Sequence, residues 1–270
     1  MEFYLLASGS KGNCFLLKDA GTVIQIDCGS TRKYLKECFA KLGHSIEETD
    51  ALLITHDHSD HISQLRTFRE LPIYSPVELP DVDTFRVRPL QEFFIEKIKV
   101  TPLALSHDAL NTTGYILDDG SEKLTYITDT GYVNERYFDL IRGSDYIVLE
   151  CNHDPDTLMQ TGRPYYVKQR IIGEEGHLCN EDCAEVLDQV ITPNTKMVIL
   201  AHISQEGNTR QLALKTVCTR LKDNPNVSDL VVAAAGQYEI AGKGESDEEI
   251  ICGSVSYHFD LEHLAQRSSS

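Results

Sequence analysis

Short apolar runs separated by polar turns dominate the first third of the chain. Three of these runs have the length and the β-branched or aromatic content that is typical of strands, at 2–8, 14–19 and 22–27. The segment 31–43 instead repeats apolar residues three and four positions apart. This spacing predicts an amphipathic helix that ends at Gly43.

The rest of the chain alternates strand and helix patterns. Strands are predicted at 51–55, 95–105, 114–119, 123–129, 145–150, 196–202 and 229–236, and helices at 62–71, 132–143, 180–191 and 209–223. Because helices recur between groups of strands, the pattern predicts a layered α/β domain with two sheets and outer helices. No linker composition interrupts it, which favours a single domain over 1–265 with a disordered tail at 266–270.

The composition of the chain fits a globular protein with one large core. No apolar run reaches the length of about 18 residues that a transmembrane helix needs, so no membrane partner is expected. The N-terminus lacks the basic and apolar regions of a signal peptide. Eight cysteines without a C-x-x-C pair fit reduced thiols, and together these features predict a cytoplasmic protein.

The net charge of −17 argues against a broad basic face for nucleic acid. It is compatible with a local basic groove, or with a site at which metal ions supply the positive charge. Charge therefore directs the search to short clusters of potential ligands.

The sequence THDHSDH follows the predicted strand at 51–55. His56 and His58 are two residues apart at a strand end, so their side chains share one face and can hold one cation. Asp60 and His61 follow where the chain leaves the strand, and they suit a second, adjacent cation. The alternative is a polar loop that opens a helix with Asp60 near its cap, but this spacing of donors favours a metal site.

Three further candidate ligands end apolar strands downstream: His107, Asp129 and His202. Each alone could be a capping or packing residue. Together they complete two four-ligand sites that share Asp129, the first with His56, His58 and His107, the second with Asp60, His61 and His202. A shared carboxylate suits two divalent cations about 3.5–4 Å apart. Nitrogen and oxygen donors leave Zn²⁺, Mn²⁺ and Fe²⁺ possible.

Motifs along the whole chain resemble those of the metallo-β-lactamase superfamily. They are IQIDCG, THDHSDH, SHDALNTTGYIL, TYITDTG and LAHIS, in this order. The resemblance implies an αβ/βα four-layer sandwich with a binuclear site on one edge. LLASGSKGNCFLL, VLECNHD and GHLCNEDCA are similar to the YycJ/WalJ group, which is related to the RNase Z-type phosphodiesterases. That similarity implies a 5′ to 3′ exonuclease on double-stranded DNA, linked to DNA repair and its proteins, and leaves the oligomeric state open.

Catalytic roles follow from the resemblance and from position. Asp60 is expected to orient the attacking water. His177 matches a helix-start histidine that donates a proton in RNase Z-like enzymes, and Glu150 is expected to orient it. His153 follows a strand that should end near the site and is the alternative donor. Asp27 is expected to brace the histidine loop and not to bind metal.

Substrate contacts are predicted in three segments. Ser10 and Asn13 lie in the glycine-rich turn 8–13, for which a plain hairpin turn is the alternative. Ser204 and Asn208 contact phosphate by resemblance only. The segment 162–170 places basic residues beside Tyr165 and Tyr166, which suits base stacking with phosphate contacts, although a solvated loop is the alternative. The basic residues there are Arg163, Lys168 and Arg170.

Two other functions compete with the nuclease interpretation. The same site could hydrolyse a small cyclic phosphodiester or a lactone, which the acidic charge favours. A protein that binds metal without catalysis is the third hypothesis. A basic rim around the cleft would favour the nuclease, whereas a closed apolar pocket would favour the small substrate. DNA is favoured over RNA as the nucleic acid by the resemblance alone.

Overall fold

The computed structural model describes residues 1–244, 250–251 and 256–258. Its strands are β1 Glu2–Ala7, β2 Cys14–Asp19, β3 Thr22–Ile26, β4 Ala51–Leu53, β5 Ile73–Ser75, β6 Phe85–Arg86, β7 Phe93–Ile95, β8 Ile98–Ala104, β9 Thr113–Asp118, β10 Lys123–Ile127, β11 Tyr146–Glu150, β12 Met197–Ala201, β13 Val231–Ala234, β14 Ala241–Lys243, β15 Ile250–Ile251 and β16 Ser256–His258. The α-helices are α1 Arg32–Lys41, α2 Ser59–Ile62, α3 Phe138–Ile141, α4 Pro155–Gln160, α5 Tyr165–Ile172, α6 Asn180–Val190 and α7 Arg210–Leu221.

The strands form two eight-stranded sheets. The first has the order β15-β14-β1-β2-β3-β4-β5-β6, and the second has the order β16-β13-β12-β11-β10-β9-β8-β7. Both sheets are mixed, with parallel pairs from β3 to β6 and from β10 to β13. The parallel strands β4, β11, β12 and β13 are buried at every position, which explains why their sequences are nearly continuous in apolar residues.

Alternation along β1 shows how the layers are built. Phe3 and Leu5 face the second sheet, whereas Tyr4 and Leu6 face the opposite side, where α1 packs. Between the sheets the Phe3 ring lies 4.9 Å from the Tyr146 ring, centroid to centroid. Fully buried side chains on both inner faces therefore supply the large apolar area that holds the sheets together.

Helices cover the outer face of each sheet. Leu35 and Phe39 of α1 are buried against the first sheet. Helices α3, α6 and α7 bury their apolar sides against the second sheet. The observed architecture is the four-layer αβ/βα sandwich that the resemblance implied.

Three element predictions need correction. The predicted helix at 62–71 is α2 followed by a 3-10 turn at Leu65–Thr67, because its apolar residues recur every third position, which matches the 3-10 repeat. The predicted strand at 95–105 is the hairpin β7–β8, whose turn holds Glu96 at φ 50°. The predicted helix at 132–143 is a 3-10 turn at Glu135–Tyr137 and the single turn α3.

The seven cysteines in the described part of the chain are free thiols, as predicted. Cys252 and the tail 266–270 lie outside the described residues. Within that same part, no helix combines the length and the apolar content that crossing a bilayer requires.

Candidate metal centre

The side chain of Asp27 holds the histidine loop that follows β4. One carboxylate oxygen of Asp27 accepts a hydrogen bond from the Thr55 amide at 2.9 Å, and the other lies 2.7 Å from Nδ1 of His61. Asp27 is fully buried and has a left-handed backbone, with φ 58°. Its position agrees with the expectation that Asp27 braces the loop.

Each of four histidines in the cluster has its Nδ1 atom engaged by a neighbouring oxygen. The contacts are His56 with Thr55 Oγ1 at 3.0 Å, His61 with Asp27 at 2.7 Å, His107 with the Gly176 carbonyl at 3.0 Å and His202 with Glu150 at 2.8 Å. Carbonyl and carboxylate oxygens only accept, so they place the proton on Nδ1. The lone pair of Nε2 is then free for a cation, which is the usual arrangement around protein metal sites.

The structure brings these ligand atoms into overlapping groups with Asp129 in the middle. Nε2 of His61 lies 3.3 Å from Oδ2 of Asp129, and Nε2 of His202 lies 3.4 Å from its Oδ1. Three groups have all ligand atoms within 4.8 Å of one another: His56, His58 and His107; His56, His61 and Asp129; and Asp129, Glu150, His177 and His202. The first holds the three histidines predicted for one site.

Three buried polar atoms at the centre have no hydrogen-bond partner among the described residues: Nε2 of His56, Nε2 of His202 and Oδ2 of Asp129. A buried polar atom without a partner costs about 1–3 kcal/mol, so such a cluster is unfavourable by itself. Divalent cations would satisfy all three atoms at once. The donor set therefore fits divalent metal ions.

Asp60 lies at the more open side of the cluster. Its Oδ2 atom is 3.7 Å from Nε2 of His61, and its side chain is 25% exposed. It also accepts a hydrogen bond from Nδ2 of Asn13 at 3.2 Å. Asp60 is therefore near the ligands predicted to share its cation, but outside the three tight groups.

Burial and charge pull the histidine pKa values in opposite directions. Burial lowers the pKa of His56 far below its ordinary value and also lowers the pKa of His107. Burial alone would lower the pKa of His202 too, but Asp129 and Glu150 outweigh it and raise that pKa to about 9. His61 likewise has a raised pKa, because Asp27 and Asp129 outweigh its burial. Divalent cations that bind these two histidines would replace protons on them.

Glu150 joins the cluster to His177. Its Oε1 atom lies 2.8 Å from Nδ1 of His177 and 2.8 Å from Nδ1 of His202, and its Oε2 accepts from the Thr130 amide. Burial raises the pKa of Glu150, but the two histidines outweigh burial and lower it to about 2. The His177 side chain is 19% exposed, so it is held at Nδ1 and still reaches the surface.

His153, the alternative proton donor, belongs to none of the three ligand groups. It is buried, and its Nδ1 atom has no hydrogen-bond partner in the described part of the chain. Burial is the main cause that lowers its pKa, to about 4. It is therefore neutral at pH 7, and the geometry favours His177 over His153.

The glycine-rich turn reaches the cluster through one of its two predicted residues. Nδ2 of the buried Asn13 lies 2.8 Å from Nε2 of His61. Ser10 is exposed at the tip of the turn. Ser8, which the sequence analysis missed, accepts a hydrogen bond from the His202 amide at 2.7 Å. A serine beside a glycine is too common in turns to have signalled this contact.

The segment 162–170 is not a solvated loop but leads into α5. Lys168 is buried, and its ammonium group donates to the carbonyls of Met159 and Thr161, both at 2.7 Å. This corrects the prediction that Lys168 contacts substrate, since its donors already satisfy the end of α4. Arg163 pairs with Glu206 at 3.1 Å and remains at the surface.

The side chain of Asn208 also forms hydrogen bonds within the fold. Its amide nitrogen donates to the carbonyls of Cys151 and Asn152, and its oxygen accepts from Asn180. The predicted phosphate contact of Asn208 is therefore corrected. Ser204 is partly exposed, and its hydroxyl accepts from the Gly207 amide at 3.0 Å.

Asp108 is a second residue that the sequence analysis missed. Its Oδ1 atom lies 3.3 Å from Nε2 of His107 and 3.7 Å from Nε2 of His58. Its other oxygen pairs with Nε of Arg170 on α5. In the sequence, the position of Asp108 directly after His107 could have indicated that it lies near the ligands. Its pairing with Arg170 had no such signal, because only the fold brings α5 to it.

Comparison with known proteins identifies the family. A profile described as "Beta-lactamase superfamily domain" matches residues 22–203. The chain belongs to the β-lactamase superfamily. Within the superfamily it is 33% identical over 239 residues to "Exodeoxyribonuclease YycJ" of Bacillus anthracis, which covers 83% of this chain and 90% of that protein.

Other members of the β-lactamase superfamily agree with this placement. "Exodeoxyribonuclease WalJ" of Streptococcus pneumoniae strain D39 is 31% identical over 238 residues, covering 82% of this chain and 88% of that protein. The crystal structure of the metallo-β-lactamase fold protein YhfI from Bacillus subtilis superimposes with a TM-score of 0.65 at 16% identity, covering 90% of this chain and 100% of that one. The match to WalJ supports the similarity of this chain to the YycJ/WalJ group. The match to YhfI shows the fold alone.

Proposed function

We propose that this protein is a metal-dependent DNA exonuclease that hydrolyses phosphodiester bonds at a binuclear centre. The observation that carries the proposal is the buried cluster around Asp129. Three of its ligand atoms have no hydrogen-bond partner in the described residues, while the Nδ1 atoms of the histidines are held. Membership in a family group whose relatives are named exodeoxyribonucleases supports DNA as the substrate.

Seven residues are proposed as metal ligands. His56, His58 and His107 hold one divalent ion, Asp60, His61 and His202 hold the other, and Asp129 is shared. Zn²⁺, Mn²⁺ and Fe²⁺ all suit these nitrogen and oxygen donors. When bound, such cations lower the pKa of a coordinated water and screen the charge of the phosphate.

The residues of the chain supply orientation and a proton. Asp60 orients the attacking water from the open side of the cluster. Glu150 contacts two histidines, and of these His177 is the one that reaches the surface while its Nδ1 is fixed. His177 therefore protonates the leaving oxygen. Asn13 holds the side chain of Asp60 in place.

Exposed aromatic and apolar side chains around the site favour a large substrate. Leu110 follows His107 by three positions and Tyr132 follows Asp129 by three, and their side chains are 69% and 45% exposed. Tyr165 and Tyr166 project from α5, which Arg170 ties to Asp108 beside the cluster. Exposed rings near a phosphodiesterase centre suit stacking on nucleic acid bases. No specific observation favours the small-molecule hydrolase or the non-catalytic protein.

Digestion of DNA tests the proposal. Duplex DNA labelled at the 5′ end or the 3′ end is incubated with Mn²⁺ and with wild type, Asp60→Ala or His61→Ala. We expect shortening from the 5′ end by wild type and a loss of at least about 100-fold in both variants. His44 is a partly exposed histidine three residues after the end of α1. His44→Ala is the matched control and should retain activity.

A metal-loaded wild type that cleaves neither DNA nor RNA, but turns over a small phosphodiester or lactone, would replace this proposal with the small-molecule hydrolase. Metal content without any turnover would indicate the non-catalytic protein. A cytoplasmic location and contacts with DNA-repair proteins are part of the same proposal. They rest on the sequence resemblance.

A further inference from the structure

A cluster of basic side chains lies at the start of α1, and we call it the α1 patch. It consists of Lys11, Arg32, Lys33 and Lys36, all of which are exposed. Lys33 lies 3.9 Å from Glu37, and the other three have no ion pair with any residue that the structure describes. In a chain of net charge −17, such a concentration of free positive charge needs a reason.

The helix itself disfavours these residues. The first turn of α1 contains no acidic residue and begins with Arg32 and Lys33. The N-terminus of a helix carries a partial positive charge, so cations there are destabilising and anions are favoured. Arg32 and Lys36 are also four positions apart, where like charges repel. Stability does not explain the arrangement, but attraction of an external anion does.

The surface along the first turns of α1 is concave. A shallow groove is lined by Arg32, Lys33, Lys36, Glu37 and Ala40. Ser30, two residues before the helix, has a buried hydroxyl with no hydrogen-bond partner in the described part of the chain. Ser30 directly precedes Thr31, which caps the helix by accepting from the Tyr34 amide.

The α1 patch adjoins the candidate metal centre. The amide of Gly29 donates to the Asn13 carbonyl, and the amide of Asn13 donates to the Asp60 carbonyl. A Cβ atom at Gly29 would lie 1.7 Å from that same carbonyl oxygen, so the two backbones are in direct contact. Tyr238, which is 45% exposed, donates to the Lys11 carbonyl and packs on Tyr34 beside the patch.

We infer that the α1 patch binds the phosphate backbone of DNA next to the bond that is cleaved. The inference rests on the proposed function and adds to it a substrate-binding surface on the helix that covers the first sheet. Lysine and arginine neutralise phosphates and release counterions, which gives binding that depends steeply on salt. The ring of Tyr238 offers a contact for a base or a sugar between Lys11 and α1.

The test compares two triple variants that lose the same charge. Lys11→Ala, Arg32→Ala and Lys36→Ala are combined in one protein. Lys41→Ala, Lys97→Ala and Lys215→Ala are combined in the control, because these lysines are exposed elsewhere and have no ion pair with described residues. Fluorescence anisotropy measures binding of a labelled DNA duplex with phosphorothioate ends over a range of salt concentrations.

We expect the patch variant to reduce the magnitude of the negative slope of log K against log salt by about 2–3, with a Kd about 10- to 100-fold higher at physiological salt. Its melting temperature should equal or exceed that of wild type, since the removed charges oppose the helix dipole. The control should bind like wild type. Equal slopes in wild type and the patch variant, or an equal loss in the control, would overturn the inference.

These outcomes separate the inference from the proposed function. If wild type cleaves DNA while the patch variant keeps the full salt slope, only the α1 patch is refuted. If wild type binds no DNA at any salt concentration, both proposals fail.

Discussion

The carboxylate of Glu150 holds two histidines with one oxygen atom. His202 is a proposed ligand and His177 the proposed proton donor, and both have Nδ1 at 2.8 Å from Oε1. Carboxylates that orient metal-binding histidines typically change metal affinity about 10- to 100-fold when removed. At the residue scale, Glu150 therefore couples metal retention to proton donation.

Glu150→Gln keeps the shape but loses the negative charge. We expect metal affinity about 10- to 100-fold weaker, because His202 is no longer fixed in the tautomer that exposes Nε2. Metal content after dialysis against a graded series of chelator concentrations measures the change. Glu47→Gln, at an exposed acid, is the control. Equal metal retention in both variants would contradict the orienting role.

Among the elements, α1 and α5 flank the candidate centre. They differ in whether their basic residues have acidic partners. Arg170 of α5 is paired with Asp108, whereas Arg32 and Lys36 of α1 have no acidic partner in the described residues. Helix α1 is held by Leu35, Cys38 and Phe39 on its buried side, so its start tolerates unfavourable charge. Function at the site and stability of α1 are therefore opposed.

Arg32→Asp should stabilise the protein. The change places an anion at the positive end of α1 and converts a repulsive pair with Lys36 into an attractive one, for a gain of about 0.5–1.5 kcal/mol in the free energy of unfolding. Urea unfolding at low ionic strength measures it, and the gain should shrink in high salt. Arg32→Gln is the neutral comparison. A destabilised Arg32→Asp would show that Arg32 has a structural partner.

For the whole molecule, the candidate centre lies where the two sheets meet. His56 and His61 follow β4 of the first sheet, while His107, Asp129 and His202 follow β8, β10 and β12 of the second. Cations bound there connect the sheets in addition to the apolar core between them. Metal binding is therefore expected to stabilise the entire fold and not only the loops.

Adding Mn²⁺ or Zn²⁺ to protein stripped of metal should raise the free energy of unfolding by about 2.7 kcal/mol at a free concentration of 100 Kd. Thermal unfolding across a metal titration measures the effect. Asp129→Asn should abolish most of it, since Asp129 is the ligand that the two proposed sites share. His44→Ala should respond like wild type. A melting temperature that does not depend on metal concentration would contradict the bridging role.

Local pattern was sufficient for much of the molecule. The spacing in THDHSDH and the polar residues at strand ends identified seven candidate ligands, because period-two alternation and strand length are local properties. The fold gathers six of them into tight groups and leaves Asp60 outside these groups. Local pattern misjudged 62–71, where a repeat of three indicates 3-10 turns, and it did not predict α5.

What the sequence by itself determined is the family, the layered α/β architecture and the set of donors that could hold metal. Only the tertiary structure decided how individual side chains are used. It directed Lys168 into the end of α4 and Asn208 into a buried network, and it brought Arg170 to Asp108. The physical reason is that a motif specifies residue types along the chain, whereas hydrogen-bond partners come from segments far apart in sequence that meet only after folding.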